Sequence, residues 1–262
     1  MTGTAGQKRV PTSFLEALRI RLPQITHQRK LIKALQTAYR LRRMRRYALQ
    51  MCDEFLPGAF TELLERNKRE CQIAELGDFL EFVTSGSRGW AEYYDPTGVR
   101  FIRSLDVQMN YISDDDVVFV QPPDNSEAER IRIGPQDVLL TLTGSRIGRV
   151  AAVTTRLAGA HISQHVAILR LKSGLSSKFF ATYLSLENLG QREIARLQYG
   201  QTKPGLKLDQ IGEMHVIAPS IPVQARFVSV LDQYERLRAV HAEALRQADH
   251  LFQTLLHQAF AA

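Results

Sequence analysis

Three stretches of this 262-residue chain concentrate side chains that hydrogen-bond nucleobases and phosphates. The first, Ser85-Gly86-Ser87-Arg88-Gly89-Trp90-Ala91-Glu92-Tyr93-Tyr94, carries an arginine, hydroxyls and aromatics on a segment that its glycines keep adaptable. Arg88 has the planar fork that pairs bidentately with guanine. Trp90 and Tyr93 either pack on a sugar or a thymine methyl, or anchor the core. The second stretch, residues 141–149, holds Thr143, Ser145 and Arg146 in a polar turn between strands. It opens a basic zone, residues 138–186, with six Lys or Arg and no Asp or Glu, in which Gln164 and His165 also fall. The third, residues 199–207, offers Gln201, Thr202 and Lys203 on a Gly/Pro loop. Together with Ser85 and Ser87, these are the candidate contacts to DNA.

No comparable set supports turnover. The chain lacks GxxxxGK[ST], GxGxxG and GxSxG, and Gly144-Ser145-Arg146-Ile147-Gly148 is none of these, so the usual phosphate cradles and nucleophile elbow are absent. Gln121-Pro122-Pro123-Asp124 reads as a turn. Asp114, Asp115 and Asp116 are adjacent, and adjacent acids point in different directions in any regular element, so they read as a solvated loop rather than a metal site. Cys52 and Cys71 share no zinc-ligand spacing and indicate no disulfide framework. No catalytic residue and no metal ligand is therefore assigned. The absence of a long apolar run and of a basic, then apolar N-terminus predicts a protein of the reducing cytoplasm without membrane contact.

The net charge of +7 is unevenly spread. Fifteen of the 34 basic residues and six of the 27 acidic ones fall in residues 1–70, a surplus of nine, against a deficit of two in the rest. Arg29, Lys30, Lys33, Arg40, Arg42, Arg43, Arg45 and Arg46 follow one another with no acid between them. Such a run is either a solvated helix face or a surface for a polyanion.

The elements that must position these groups announce themselves through an internal repeat. Residues 20–53 match residues 216–249 in one gap-free register, including Pro23/Pro219, Gln28/Gln224, Arg40/Arg236, Leu41/Leu237, Arg42/Arg238 and Asp53/Asp249. Each copy starts with a proline and a glutamine and then runs on without Pro or Gly, as a helix demands. Phe227, Leu231, Tyr234, Arg238, His241, Leu245, Ala248, Phe252 and Leu255 alternate at spacings of four and three, and Leu31, Leu35, Ala38, Arg42, Arg45, Leu49, Cys52 and Leu56 do the same. This is a coiled-coil seam, and its polar middle (Arg42/Arg45, Arg238/His241) reads as a register device. Helices of roughly 38 residues would reach about 57 Å and pair antiparallel as a rod. Between them the texture changes to short β-type runs at 79–84, 99–103, 117–120, 130–133, 138–142, 150–153 and 166–171, then a helix at 177–186 and a second near 194–197. The expected fold is α+β: a helical region at 1–69, one mixed α/β domain at 70–217 and a second helical region at 218–262.

Gly86-Ser87-Arg88-Gly89-Trp90, Phe101-Ile102-Arg103, Asp137-Val138-Leu139-Leu140, Gly144-Ser145-Arg146-Ile147-Gly148, Gln201-Thr202 and the lead from Pro219 to Gln224 into a long helix resemble the specificity subunit of type I restriction-modification systems. The likeness runs from about residue 20 to 260. It implies that residues 70–217 are one target recognition domain, which adds Arg103 to the DNA contacts, and that the repeats are the helical regions on which methyltransferase subunits dock. Arg40, Arg42, Arg43, Arg236 and Arg238 are the docking candidates, because Arg40-Leu41-Arg42 recurs at 236–238. A complete family subunit carries two recognition domains and this chain carries one, so the resemblance implies a half subunit that works as a homodimer or with a second specificity fragment. It implies a non-catalytic reader of double-stranded DNA, with S-adenosylmethionine, ATP and Mg held by the methyltransferase and restriction subunits. A free-standing DNA-binding regulator, an anti-restriction decoy and a coiled-coil protein scaffold are the rival readings.

Overall fold

The computed structural model describes residues 10–19, 23–200 and 205–260. After a short helix α1 (Thr12–Ala17), the first repeat forms α2 (Ile25–Arg66), and the second forms α7 (Ile221–Phe260) at the other end of the chain. Both helices start in the same way: the Gln28 side-chain amide donates to the Pro23 carbonyl at 2.7 Å, and Gln224 donates to the Pro219 carbonyl at 2.9 Å. The repeated Pro and Gln are thus a helix-initiating device used twice.

Two compact units result, one running from Leu56 to Gln233 and the other made of the helical segments up to Phe55 and from Tyr234. In the helical unit α2 and α7 pack together. Tyr39 meets Phe252 and Phe55 meets Tyr234 at 6.4 and 6.5 Å between rings, so residue numbers rise on one helix as they fall on the other and the pair is antiparallel. The repeat then acts reciprocally. Arg42 pairs with Asp249, and its counterpart Arg238 pairs with Asp53, the counterpart of Asp249, at 2.6 Å. The two arginines of the polar seam layer fix register within the chain, as a seam layer of this kind is expected to. Arg42 also sits over the Phe252 ring at 5.2 Å.

The other unit is built on a two-stranded ribbon and two four-stranded sheets. β1 (Cys71–Glu75) pairs antiparallel with β10 (His215–Pro219), a two-stranded ribbon that brings both ends of the domain side by side. The larger antiparallel sheet has the order β2 (Leu80–Ser85), β9 (Val166–Leu171), β6 (Val138–Thr141), β7 (Val150–Ala152). The second sheet has the order β3 (Tyr94–Asp95), β5 (Val118–Val120), β4 (Val99–Ile102), β8 (His161–Ile162), with β4 and β8 parallel. Between the sheets lies a core of Trp90, Phe101, Ile102, Leu139, Ile162, Val166 and Ile168. On β6, Val138 to Thr141 are buried on both faces, which explains their unalternating apolar run. Helices α4 (Ser177–Ser185), α5 (Gly190–Leu197) and the short α6 (Leu208–Gly212) follow, and Phe179 of α4 packs on Phe60 and Phe227, which belong to α2 and α7, at 5.1 and 5.8 Å.

The segment 130–133, expected as a strand, is not one. The Asn125 side chain accepts from the Ala128 amide and caps α3 (Ser126–Arg130), which consumes the start of the run, and Arg132 retains a single bridge to His161. Ile131 and Ile133 are buried all the same, so the apolar signal was a core signal rather than a strand signal.

Candidate nucleic-acid interface

The loop after β2 is fixed by a close backbone approach. A Cβ on Gly86 would stand 2.3 Å from the backbone of Ile162 and Ser163, so only glycine lets this loop lie against the turn between β8 and β9. Arg130 clamps the same loop, donating to the Ser85 carbonyl and to Ser87 Oγ, each at 3.0 Å, and also to Thr84 Oγ1. Ser87 also bonds to Glu127, whose carboxyl is held below its ordinary value by that hydroxyl first and by the Trp90 indole as well. Arg88 is exposed, and no described residue holds its guanidinium.

The β8–β9 turn meets the next loop in turn. The Leu142 amide donates to the His165 carbonyl at 2.8 Å, Thr143 Oγ1 lies 2.6 Å from His165 Nδ1, and Gln164 Nε2 lies 3.1 Å from His165 Nε2. An amide nitrogen only donates, so His165 accepts at Nε2 and donates from Nδ1 to Thr143. The 143–149 turn is shaped by Gly144 and Gly148, both left-handed, with φ of 86° and 84°. It presents exposed Ser145, while Arg146 donates to the Leu105 carbonyl at 3.1 Å. The Leu206 amide donates to the Leu142 carbonyl at 2.9 Å, and Gly205 bridges both Thr143 and Tyr199. The described residues of the three stretches therefore form one loop surface, with Arg88, Thr143, Ser145, Arg146, Gln164 and His165 on neighbouring segments. Gln201, Thr202 and Lys203 lie outside the described residues.

Other candidates are placed elsewhere. Trp90 is 4% exposed, stacked on Phe101 at 5.5 Å and on His161 at 5.3 Å, and Tyr93 stands edge-on to it, partly buried. Of the two roles open to it, Trp90 takes that of core anchor. His161 is correspondingly dry: burial first, and the charge of Arg132 second, push its imidazole below its usual value. Arg103 is drawn inward by carboxylates, with its guanidinium on buried Asp106 at 3.0 Å and on Asp116 at 3.1 Å, and its own amide donates to Asp106. It staples the start of a loop instead of presenting a free cation. The acidic run is likewise occupied, since Asp114 accepts from Arg156 at 2.6 Å and from Arg100, in that order of effect, and its carboxyl is held low. Among the docking candidates, Arg42 and Arg238 are engaged in the reciprocal ion pairs, and Arg40, Arg43 and Arg236 are exposed.

A loop the sequence did not single out adjoins this surface. Leu105, Met109 and Tyr111 are exposed on it, and it is braced by the Asn110 amide to the Val150 carbonyl, by Asn110 Nδ2 to Ser185 Oγ, and by Arg149 to Gln108. Asn110 adopts φ of 64°, the left-handed conformation that asparagine tolerates. Large apolar residues flanking such an asparagine were the available signal.

Comparison with known proteins gives this arrangement a context. Residues 68–248 match the family model described as the type I restriction modification DNA specificity domain. No curated protein sequence matches the chain. Among solved structures it resembles one described by the complex assembly and conformational transition of the type I R-M system (TM-score 0.64, 19% identity, 92% of this chain and 60% of that one). It also resembles the HsdS subunit from Thermoanaerobacter tengcongensis (0.59, 19%, 99% and 64%) and the type I restriction-modification S subunit from M. genitalium (0.51, 14%, 90% and 59%). The chain thus spans about 60% of the length of the structures it resembles. The matched residues take in the whole loop surface, both strands of the ribbon and the first part of α7, and on that match the chain belongs to the type I restriction-modification DNA specificity domain family.

Proposed function

We propose that the chain is a non-catalytic specificity subunit that reads double-stranded DNA and directs methyltransferase and restriction subunits of a type I complex to a split target. The observation that carries this reading is the single loop surface on which Arg88, Arg146, Gln164, His165, Thr143 and Ser145 gather. Arg88 is free to fork onto guanine, and Arg146, braced through one nitrogen, keeps the others for a base or phosphate. With one recognition domain per chain, two copies, or this chain with a second specificity fragment, supply the two halves of the target, and a homodimer reads a palindrome. S-adenosylmethionine, ATP and Mg belong to the partner subunits, and the complex works in the cytoplasm.

The repeat supports a docking surface for the methyltransferase. Leu41 and Leu237, Met44 and Val240, and Phe55 and Leu251 are equivalent pairs, and all six side chains are exposed, Met44 and Val240 at 68% and 65%. The twofold relation implied by the reciprocal ion pairs puts these pairs on one apolar face, rimmed by the equivalent Arg40 and Arg236, that presents the same chemistry twice. Such a face suits two copies of one partner.

The test is a map of methylated adenine in cells with the adjacent methyltransferase gene, with and without this chain. Loss of one split motif is the expected result. An unchanged map would overturn the reading in favour of a free-standing regulator, decoy or scaffold. At the site, Arg88→Ala or Arg146→Ala should lower specific affinity by about 1–3 kcal/mol, and unchanged sequence preference in both would remove these loops from readout.

A further inference from the structure

What the two helical repeats do not share points to a second use for α2. The seam, the caps, the ion pairs and the apolar face recur, but the charge does not. From Ile25 to Cys52 there are eight cations and no acid, whereas the equivalent residues 221–248 carry four arginines offset by Asp232, Glu235 and Glu243. Some of the eight have counterparts, such as Arg40 with Arg236 and Lys30 with Arg226. Four exposed ones do not: Arg29, Lys33, Arg43 and Arg46 correspond to Ala225, Ser229, Ala239 and Ala242. None of the four has a side-chain hydrogen bond or ion pair among the described residues. A partner that uses both repeats alike has no need of them.

We propose that Arg29, Lys33, Arg43 and Arg46 form a strip on α2 that binds the sugar-phosphate backbone of duplex DNA without reading its sequence. From Arg29 to Arg46 the strip runs about 26 Å along the helix, the length of about seven or eight base pairs at 3.4 Å each. Protein interfaces deplete lysine and confine charge to their rims, whereas unpaired cations in line are the footprint of a phosphate track. A recognition domain that contacts only a few base pairs leaves neighbouring duplex to be held, and a sequence-independent strip supplies that hold. The inference rests on the DNA-binding reading but not on the identity of the bases read.

The experiment titrates the full chain with a random-sequence 30-base-pair duplex across a range of salt concentrations, reads sequence preference by selection from a pool of randomised duplexes, and reads methyltransferase binding by co-purification. It compares the natural protein with a variant in which α2 takes the residues of α7: Arg29→Ala, Lys33→Ser, Arg43→Ala and Arg46→Ala. Circular dichroism verifies that the helices persist, and a second variant, with glutamine at all four positions, preserves helix propensity. The expected result is that the slope of log affinity against log salt becomes shallower by about 3.6, about 0.9 for each of the four cations, with sequence preference intact. A slope unchanged in both variants overturns the strip, as does loss of methyltransferase binding with DNA binding retained, which would identify an acidic protein surface instead. A natural chain with a steep slope but no sequence preference would instead overturn the specificity reading and leave the strip standing.

Discussion

The globular unit and the helical unit of this chain differ in how complete they are. In the globular unit Phe101, Ile102, Leu139, Leu140, Ile162 and Ile168 are buried to 2% exposure or less, and buried Asp137 is matched by Arg170 at 2.8 Å and by the Gly134 amide. In the helical unit burial below a tenth is confined, among the described residues, to Ala38, Cys52 and Ala248, while Met44, Phe55, Leu237 and Val240 face water. Two helices side by side have too little interior to hide both faces. The domain hides most of its large apolar side chains within itself, and the rod leaves several of its own exposed.

The contrast can be broken most severely at Trp90. Trp90→Ala should cost the domain about 3–5 kcal/mol in denaturant unfolding, because Phe101 and His161 both lose their stacking partner. A loss below about 1 kcal/mol would mean that the core does not depend on it. A smaller effect comes from His161. Its folded value lies below the ordinary 6.5, so the unfolded chain binds the proton more readily. The contribution is full above pH 6.5 and is lost as pH falls through the window below it. Unfolding midpoints at pH 7 and 5 should differ in the natural chain by more than in His161→Phe, which keeps a ring on Trp90; an equal difference in both would assign the pH dependence to other groups. The smallest effect is expected in the rod. Met44→Ser with Val240→Ser should change the stability of the isolated chain by no more than about 0.5 kcal/mol, yet reduce co-purification with the methyltransferase. A large stability loss would show that these side chains are packed within the chain's own fold or between its copies.

Much of this was legible in the sequence wherever one period or one register carried the signal. The repeat registers Gln28 with Gln224 and Arg42 with Arg238, and the helix starts and reciprocal ion pairs follow from it. The strands β2, β4, β5, β6, β7 and β9 were visible as apolar runs. The ribbon was not, because Ile73 is the one large apolar residue of Cys71–Glu75 and stands exposed at the middle of β1. The loop residues could be named singly, but their meeting depends on the parallel pairing of β4 with β8 and on the missing side chain of Gly86, neither of which has a local signature. Arg103 and Trp90 carry the right chemistry for DNA and are claimed by Asp106 and Phe101, neighbours that composition does not reveal.

The ribbon has a consequence for inheritance. Because Cys71 pairs with Pro219 and Glu75 with His215, the polypeptide leaves the helical framework and returns to it at one place. Paired strands lie only about 5 Å apart, so a foreign segment in place of residues 76–214 needs two ends equally close, and an apolar surface to take over from Phe179 against Phe60 and Phe227, for the flanking helices to keep their register. Two crossovers in the gene, one on either side of this narrow neck, would issue the same framework with a new address.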